Sequence, residues 1–295
     1  MNNNIVTLKD AEAHCYSENK EVDALDSAYH YLNTKFCQPA IWFDSFFVDE
    51  RVTDDARAGT MVRWYNDYSW SKSEGFKYRT SLKAKLHLPK ATKKLKLVFE
   101  SDADDDLQDL FPTSGEDLES SLGLRYDWYA KERSSFNIKV TLRPSIEARY
   151  RYSYSFTQDT LLNLTQRVYS RKSVLGERTQ IDLDHTLSEQ FLIRWANYAK
   201  YENDVDHFEL GTGLTLYQSI SPKQALSYKA SLTGHDKPHG YLSNKHISIT
   251  YRQNVYRDWL FYEITPEYNW DNDLEEDKMN HATITFRLEF LFNNV

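Results

Sequence analysis

From Gly59 to its end the chain alternates, and the clearest stretch is the last. Along Thr283–Phe292, TITFRLEFLF, residues Ile284, Phe286, Leu288, Phe290 and Phe292 share one parity, while Thr285, Arg287 and Glu289 share the other. Successive side chains leave a β-strand on opposite sides, so a period of two with one wholly apolar face predicts a strand. Taken alone, it would also suit the last strand of a soluble sandwich.

The same pattern recurs with turn signals between repeats. Val62, Trp64, Tyr68 and Trp70 oppose Arg63, Tyr65 and Asp67, and Phe76, Tyr78, Thr80, Leu82, Ala84, Leu86 and Leu88 oppose Lys77, Arg79, Ser81, Lys83, Lys85 and His87. Leu95, Leu97 and Phe99 follow the turn PKATK, and Leu122, Leu124, Tyr126 and Trp128 alternate with Gly123, Arg125, Asp127 and Tyr129. Further strands are predicted at Leu161–Arg171, Thr179–Leu187, Phe191–Tyr201, Phe208–Ser219, Ala225–Thr233, His246–Tyr256 and Leu260–Asn269. Phe136–Phe156 keeps one parity throughout, as one very long strand or as two meeting at Arg143-Pro144-Ser145, since proline interrupts a central ladder.

Three features favour a transmembrane barrel over a sandwich. The strands run to about 10–13 residues, near a tilted membrane span and above the globular norm. Aromatic residues gather near strand ends, as at Trp70 and Phe76, Trp259 and Phe261, and Tyr268 and Trp270. The polar face carries charge rather than hydroxyls alone. The predicted fold is an all-β, antiparallel, up-and-down transmembrane barrel of about 12–14 strands, an even number being the rule for single-chain bacterial barrels. Residues 59–295 form this barrel. Residues 1–58 form an N-terminal segment that packs on one end or enters the lumen. In it Leu25, Tyr29, Leu32 and Phe36 fall at helical spacing before Pro39, which is read as ending that helix, and Ile41, Trp42, Phe46 and Phe47 make an apolar cluster.

Composition agrees. Mean hydropathy is -0.70, yet only alternate barrel residues meet lipid, so each span reads as half polar. The net charge of -8, with no continuous basic surface, argues against nucleic acid as a partner. The opening MNNNIVTLKD has no apolar signal core, so a processed or added start is expected. Cys15 and Cys37 are the only cysteines; in an oxidising compartment they are expected to close a disulfide, the alternative being two buried thiols.

On the inward face, Arg125, Arg149, Arg151, Arg167, Arg194, Arg252 and Arg287 face a set of acids that includes Asp182, Asp184, Glu147, Glu263, Glu267 and Glu289. Arginine pairs with carboxylates in a bidentate fashion, which suits either a structural network that fills the lumen or a lining that selects polar or anionic solutes. Lys77, Arg79, Lys83, Lys85, Lys94 and Lys96 make a basic patch, read as a solvated wall or as a contact for anionic groups. The run ESDADDDLQDL lacks the spacing and glycine of a calcium loop and reads as a solvated acidic loop. Ser243, Asn244 and His246, and the pair Asp184 and His185, carry hydrolase residue types, but neighbours on a strand point to opposite faces. No catalytic residue, metal site or cofactor is assigned.

The stretches WFDSFF (Trp42–Phe47), LHLPKATKKLKLVFESDADDD (Leu86–Asp106), SLGLRY, EARYRYSYSF and RQNVYRDWLFYEI resemble a group of proteobacterial outer-membrane barrel proteins of unassigned function. The aromatic-rich last strand resembles the terminal assembly signal of such barrels. The resemblance implies an outer-membrane location, a periplasmic turn at NVYRDW, and both termini in the periplasm. The expected partners are outer-membrane lipid and lipopolysaccharide, the barrel-assembly machinery acting on the last strand, and an envelope protein. The expected function is a passive or gated conduit for small polar or anionic solutes. A non-transporting barrel that anchors an envelope assembly is the alternative, and a rim-located hydrolase the third.

Overall fold

The computed structural model describes residues 39–47, 60–73, 75–87, 95–100, 110–111, 121–130, 133–142, 145–238, 240–272 and 279–294. Among them one helix, α1 (Pro39–Phe46), precedes the strands β1 (Thr60–Ser71), β2 (Gly75–His87), β3 (Leu95–Glu100), β4 (Ser121–Ala130), β5 (Ser134–Thr141), β6 (Ser145–Ser155) and β7 (Thr160–Arg171). They continue as β8 (Val174–Ser188), β9 (Phe191–Glu202), β10 (Phe208–Ser221), β11 (Gln224–His235), β12 (Tyr241–Asn254), β13 (Leu260–Asp271) and β14 (Met279–Asn294). Each pairs antiparallel with the next, and β14 closes on β1. The barrel therefore has fourteen strands. The ambiguous stretch divides into two strands, β5 ending at Thr141 and β6 beginning at Ser145.

An even strand count places the start of β1 and the end of β14 together, at what we term the start end of the barrel. The longest connection, 101–120, lies at the far end. Polarity is reversed relative to a soluble protein. Trp64, Trp70, Phe76, Trp128, Leu214, Ile249, Ile284 and Phe286 are all exposed on the outside, whereas Arg63, Lys96, Arg178, Asp184 and Arg252 are buried within. Water would not favour such an exterior; a hydrocarbon bilayer does, and closure satisfies every strand edge there. Aromatic residues line both rims. At the start end Trp259 stacks near Phe290 and Phe292, at 6.0 and 5.6 Å between centroids. At the far end Tyr68 lies 6.3 Å from Phe76.

Proline shapes two places. Pro266 lies within β13, and the β12–β13 ladder skips from Ser248↔Glu267 to Tyr251↔Ile264. There the Thr265 hydroxyl donates to Thr250 Oγ1 at 3.1 Å instead. Pro39 begins α1, a helix over the apolar cluster that the sequence reading left unassigned. The first turn has no intrahelical acceptor for its N–H groups, so a residue without one fits at the start. The preceding stretch around Leu25–Phe36 lies outside the described residues, as do Cys15 and Cys37.

Candidate functional site

The lumen is the site, and its wall is built by cross-strand charge pairing. At the seam between first and last strands, Arg63 Nε donates to Glu289 at 2.8 Å and Arg287 holds Asp67 through two bonds of 2.7 and 2.9 Å. Glu289 also accepts from Arg252 at 2.5 Å, and Arg252 bonds Glu263 as well. Arg287 reaches the same Glu263 carboxylate at 3.9 Å. Tyr65, fully buried, lies under the Arg287 guanidinium at 4.4 Å. Six charged residues on β1, β12, β13 and β14 thus form one network. Alternation sets all six inward, and in-register pairing sets them side by side.

A second group crosses β6 to β9. The register places Arg149 beside Arg167, Arg167 beside Arg178, and Arg178 beside Lys200. Like charges directly opposite repel, so this row needs acids or water beside it. Glu147 meets Arg149 at 2.8 Å, Glu202 meets Lys200 at 3.0 Å, and the face of Tyr198 lies 5.8 Å from Arg178. Nearby, Arg194 and Asp184 form a bidentate pair at 2.7 and 3.0 Å, and the Gln180 amide donates to Asp182.

Two chain segments enter this lumen from opposite ends. At the start end, Phe43 and Phe46 of α1 cluster with Leu192, Tyr217, Ala225, Phe261 and Leu291. Each of these wall residues is inward-facing, so α1 sits inside the barrel. Asp44 accepts from Arg194 at 2.6 Å, and Arg252 lies 5.9 Å from the Phe46 ring. From the far end, the connection between β3 and β4 brings Leu110 and Phe111 against Ala196 and Tyr198. The Ser231 hydroxyl donates to the Leu110 carbonyl. Glycines make room here. A Cβ on Gly211 would run into the Tyr198 ring, and one on Gly213 would fall 3.0 Å from Leu110.

The residues singled out in the sequence therefore separate. Arg252, Glu263, Arg287 and Glu289 join the seam network; Arg149 and Arg167 join the cation row; Arg194 and Asp184 pair beside α1. Arg125 pairs with Asp127 at 2.9 Å on its own strand, and Arg151 stands beside Thr165. The basic residues do not form one patch. Lys77 and Arg79 are exposed toward the far end, Lys83 is half-buried, and Lys85 and Lys96 are buried lower in the wall. Lys96 meets Asp127 at 3.4 Å. Lys94 lies outside the described residues. Arg63, Asp67, Asp127, Arg178, Lys200 and Asp44 join the site without having been singled out, although parity alone sets most of them inward.

The hydrolase residue types do not assemble. Among the described residues, the Ser243 hydroxyl and both ring nitrogens of His246 find no hydrogen-bond partner. His246 faces Glu267 at 3.7 Å. His185 bonds the Thr160 hydroxyl at 2.9 Å on the exposed outer face, opposite to Asp184. Among the described residues no group of His, Cys, Asp and Glu could hold a metal ion.

No protein-family model matches the chain, and neither does any curated protein sequence. Solved structures do. The outer membrane channel DcaP of Acinetobacter baumannii superposes with a TM-score of 0.50 at 8% identity, covering 79% of this chain and 96% of that one. A bacterial polysaccharide outer membrane secretin gives 0.49 at 9% identity, covering 81% and 100%. An anion-selective porin from Comamonas acidovorans gives 0.45 at 9%, covering 79% and 98%. At 8% identity the likeness to the DcaP channel is one of fold. The fold is that of the closed antiparallel barrels found among outer-membrane channels.

Proposed function

We propose that the protein is an outer-membrane conduit for small polar or anionic solutes, held shut in this structure by α1 and narrowed, without being closed, by the Leu110–Phe111 segment. One observation carries the reading: the wall charges nearest α1 keep partners of their own. If α1 leaves, Arg194 still has Asp184, and Arg252 still has Glu263 and Glu289. A wall in which every charge near the plug is paired across strands tolerates water and passing ions. A filling that existed only to stiffen the barrel would gain more from apolar side chains, since buried ion pairs contribute little net stability. The cation row gives the lumen its anionic preference. Short turns such as 189–190 and 222–223 at the start end, against the long 101–120 connection, support periplasmic termini. Lipid and lipopolysaccharide would then cover the apolar exterior, and the assembly machinery would engage β14. Residues 1–58 act as a plug-bearing segment attached to the barrel of 59–295.

The occupation of the lumen from both ends favours a second reading, a sealed barrel that anchors an envelope assembly. Single-channel recording in a planar bilayer separates the two. Full-length refolded protein is compared with Phe43→Ala/Phe46→Ala, and a heat-dependent gel shift confirms folding of each. Discrete steps, brief in the parent and frequent in the variant, are expected. Silence from both folded forms removes the conduit and leaves the anchor.

A further inference from the structure

The socket that α1 fills has a specific chemistry. Its apolar part is Leu192, Tyr217, Ala225 and Phe261, with Phe43 tilted against Tyr217 at 5.3 Å and Phe46 edge-on to Phe261 at 5.9 Å. Its polar part is two arginines. Arg194 holds the Asp44 carboxylate at 2.6 Å, while its own wall partners are Asp184 and the Tyr217 hydroxyl. Arg252 is fully buried and lies 4.3 Å from the Phe261 ring, and its Nε and Nη2 have no acceptor among the described residues. Buried guanidinium donors without acceptors are costly, and these lie beside the Phe46 and Phe261 rings.

A plug needs none of this. Apolar side chains alone would seal the end, and a carboxylate partly withdrawn from solvent next to Phe43 costs desolvation that the seal does not require. An aromatic ring next to a carboxylate, set against aromatic walls and guanidinium forks, is instead the chemistry by which a small aromatic acid is held. Resting on the conduit reading, we propose that the socket is a binding site for small aromatic carboxylates, and that Phe43, Asp44 and Phe46 occupy it as a built-in competitor. The solute then opens the lumen by displacing the helix whose side chains it imitates. Because the competitor is tethered, its effective concentration is high, and a ligand must outcompete it.

The test is calorimetric titration of full-length refolded protein with phenylacetate, with acetate and benzyl alcohol as controls lacking the ring or the charge. Phe43→Ala/Asp44→Asn/Phe46→Ala is expected to bind phenylacetate about tenfold or more tightly than the parent, with Asp44→Asn alone intermediate. Adding Arg194→Gln or Arg252→Gln to the triple variant is expected to remove that gain, with the heat-dependent gel shift confirming the fold. A folded triple variant that binds phenylacetate no better than the parent, or no better than acetate, overturns the proposal. Conductance of the same variant keeps the two readings apart. Steps without phenylacetate binding remove the ligand site and leave the conduit, whereas binding without steps removes the conduit and leaves the ligand site.

Discussion

The Glu289 carboxylate is fully buried and lies between the guanidiniums of Arg63 and Arg252. Those two contacts join β14 to its neighbour β1 and to the more distant β12, so one side chain ties three strands. Glu289→Gln keeps the shape and removes the charge, which leaves Arg63 buried without the carboxylate it holds. The expected cost is about 3–5 kcal/mol, seen as a lower urea midpoint for loss of the fast-migrating folded band. An unchanged midpoint would mean that water reaches this part of the lumen freely. Parity made Arg63, Asp67 and Glu289 legible as inward residues. Their partnership was not legible, because Arg63 and Glu289 stand 226 positions apart and only the closed register brings them together.

Among the elements, the strands were legible wherever alternation ran uninterrupted, and of the two readings left open for Phe136–Phe156 the structure takes the divided one. α1 went unassigned: Ile41, Trp42, Phe46 and Phe47 stood out only as an apolar cluster, although Pro39 suits the first turn of a helix. The basic residues misled. Lys77 and Lys85 share a face of β2 but stand eight residues apart, roughly 26 Å along a strand, so parity grouped what height separates. The β7–β8 turn carries a prediction of its own. Lys172 and Ser173 both have positive φ, 47° and 77°, as a two-residue turn of the primed type demands. Neither residue favours that region, so Ser173→Gly is expected to stabilise the barrel by about 1 kcal/mol, read as a raised urea midpoint.

For the whole molecule, one stretch of the lumen wall sets cations directly opposite one another. Arg149, Arg167, Arg178 and Lys200 run across β6 to β9, with Glu147 and Glu202 beside the first and last of them. In the Phe43→Ala/Phe46→Ala background, Arg167→Gln/Arg178→Gln is expected to shift the reversal potential in a salt gradient away from anion preference. A reversal potential that does not move would deprive the row of any part in selectivity. Barrel architecture was readable from the sequence because a two-residue period and a membrane-length strand leave few folds. The contents of the lumen were not. Leu110 and Phe111 lie within an acidic stretch whose charge suggested a solvated loop, and no periodicity marks two apolar residues that turn inward.

The seam between β1 and β14 also sets an order in time. Arg63 and Asp67 belong to the first strand made, and the carboxylate and guanidinium that neutralise them, at separations of 226 and 220 residues, belong to the last. Contacts so distant in sequence form slowly and late. Until β14 arrives, the opening strand has an unpaired edge, and Glu289 and Arg287 are not yet set against its inward charges. A chain stopped short of its last strand therefore lacks both the edge partner of β1 and the two side chains that face Arg63 and Asp67, so closure comes only with the final strand.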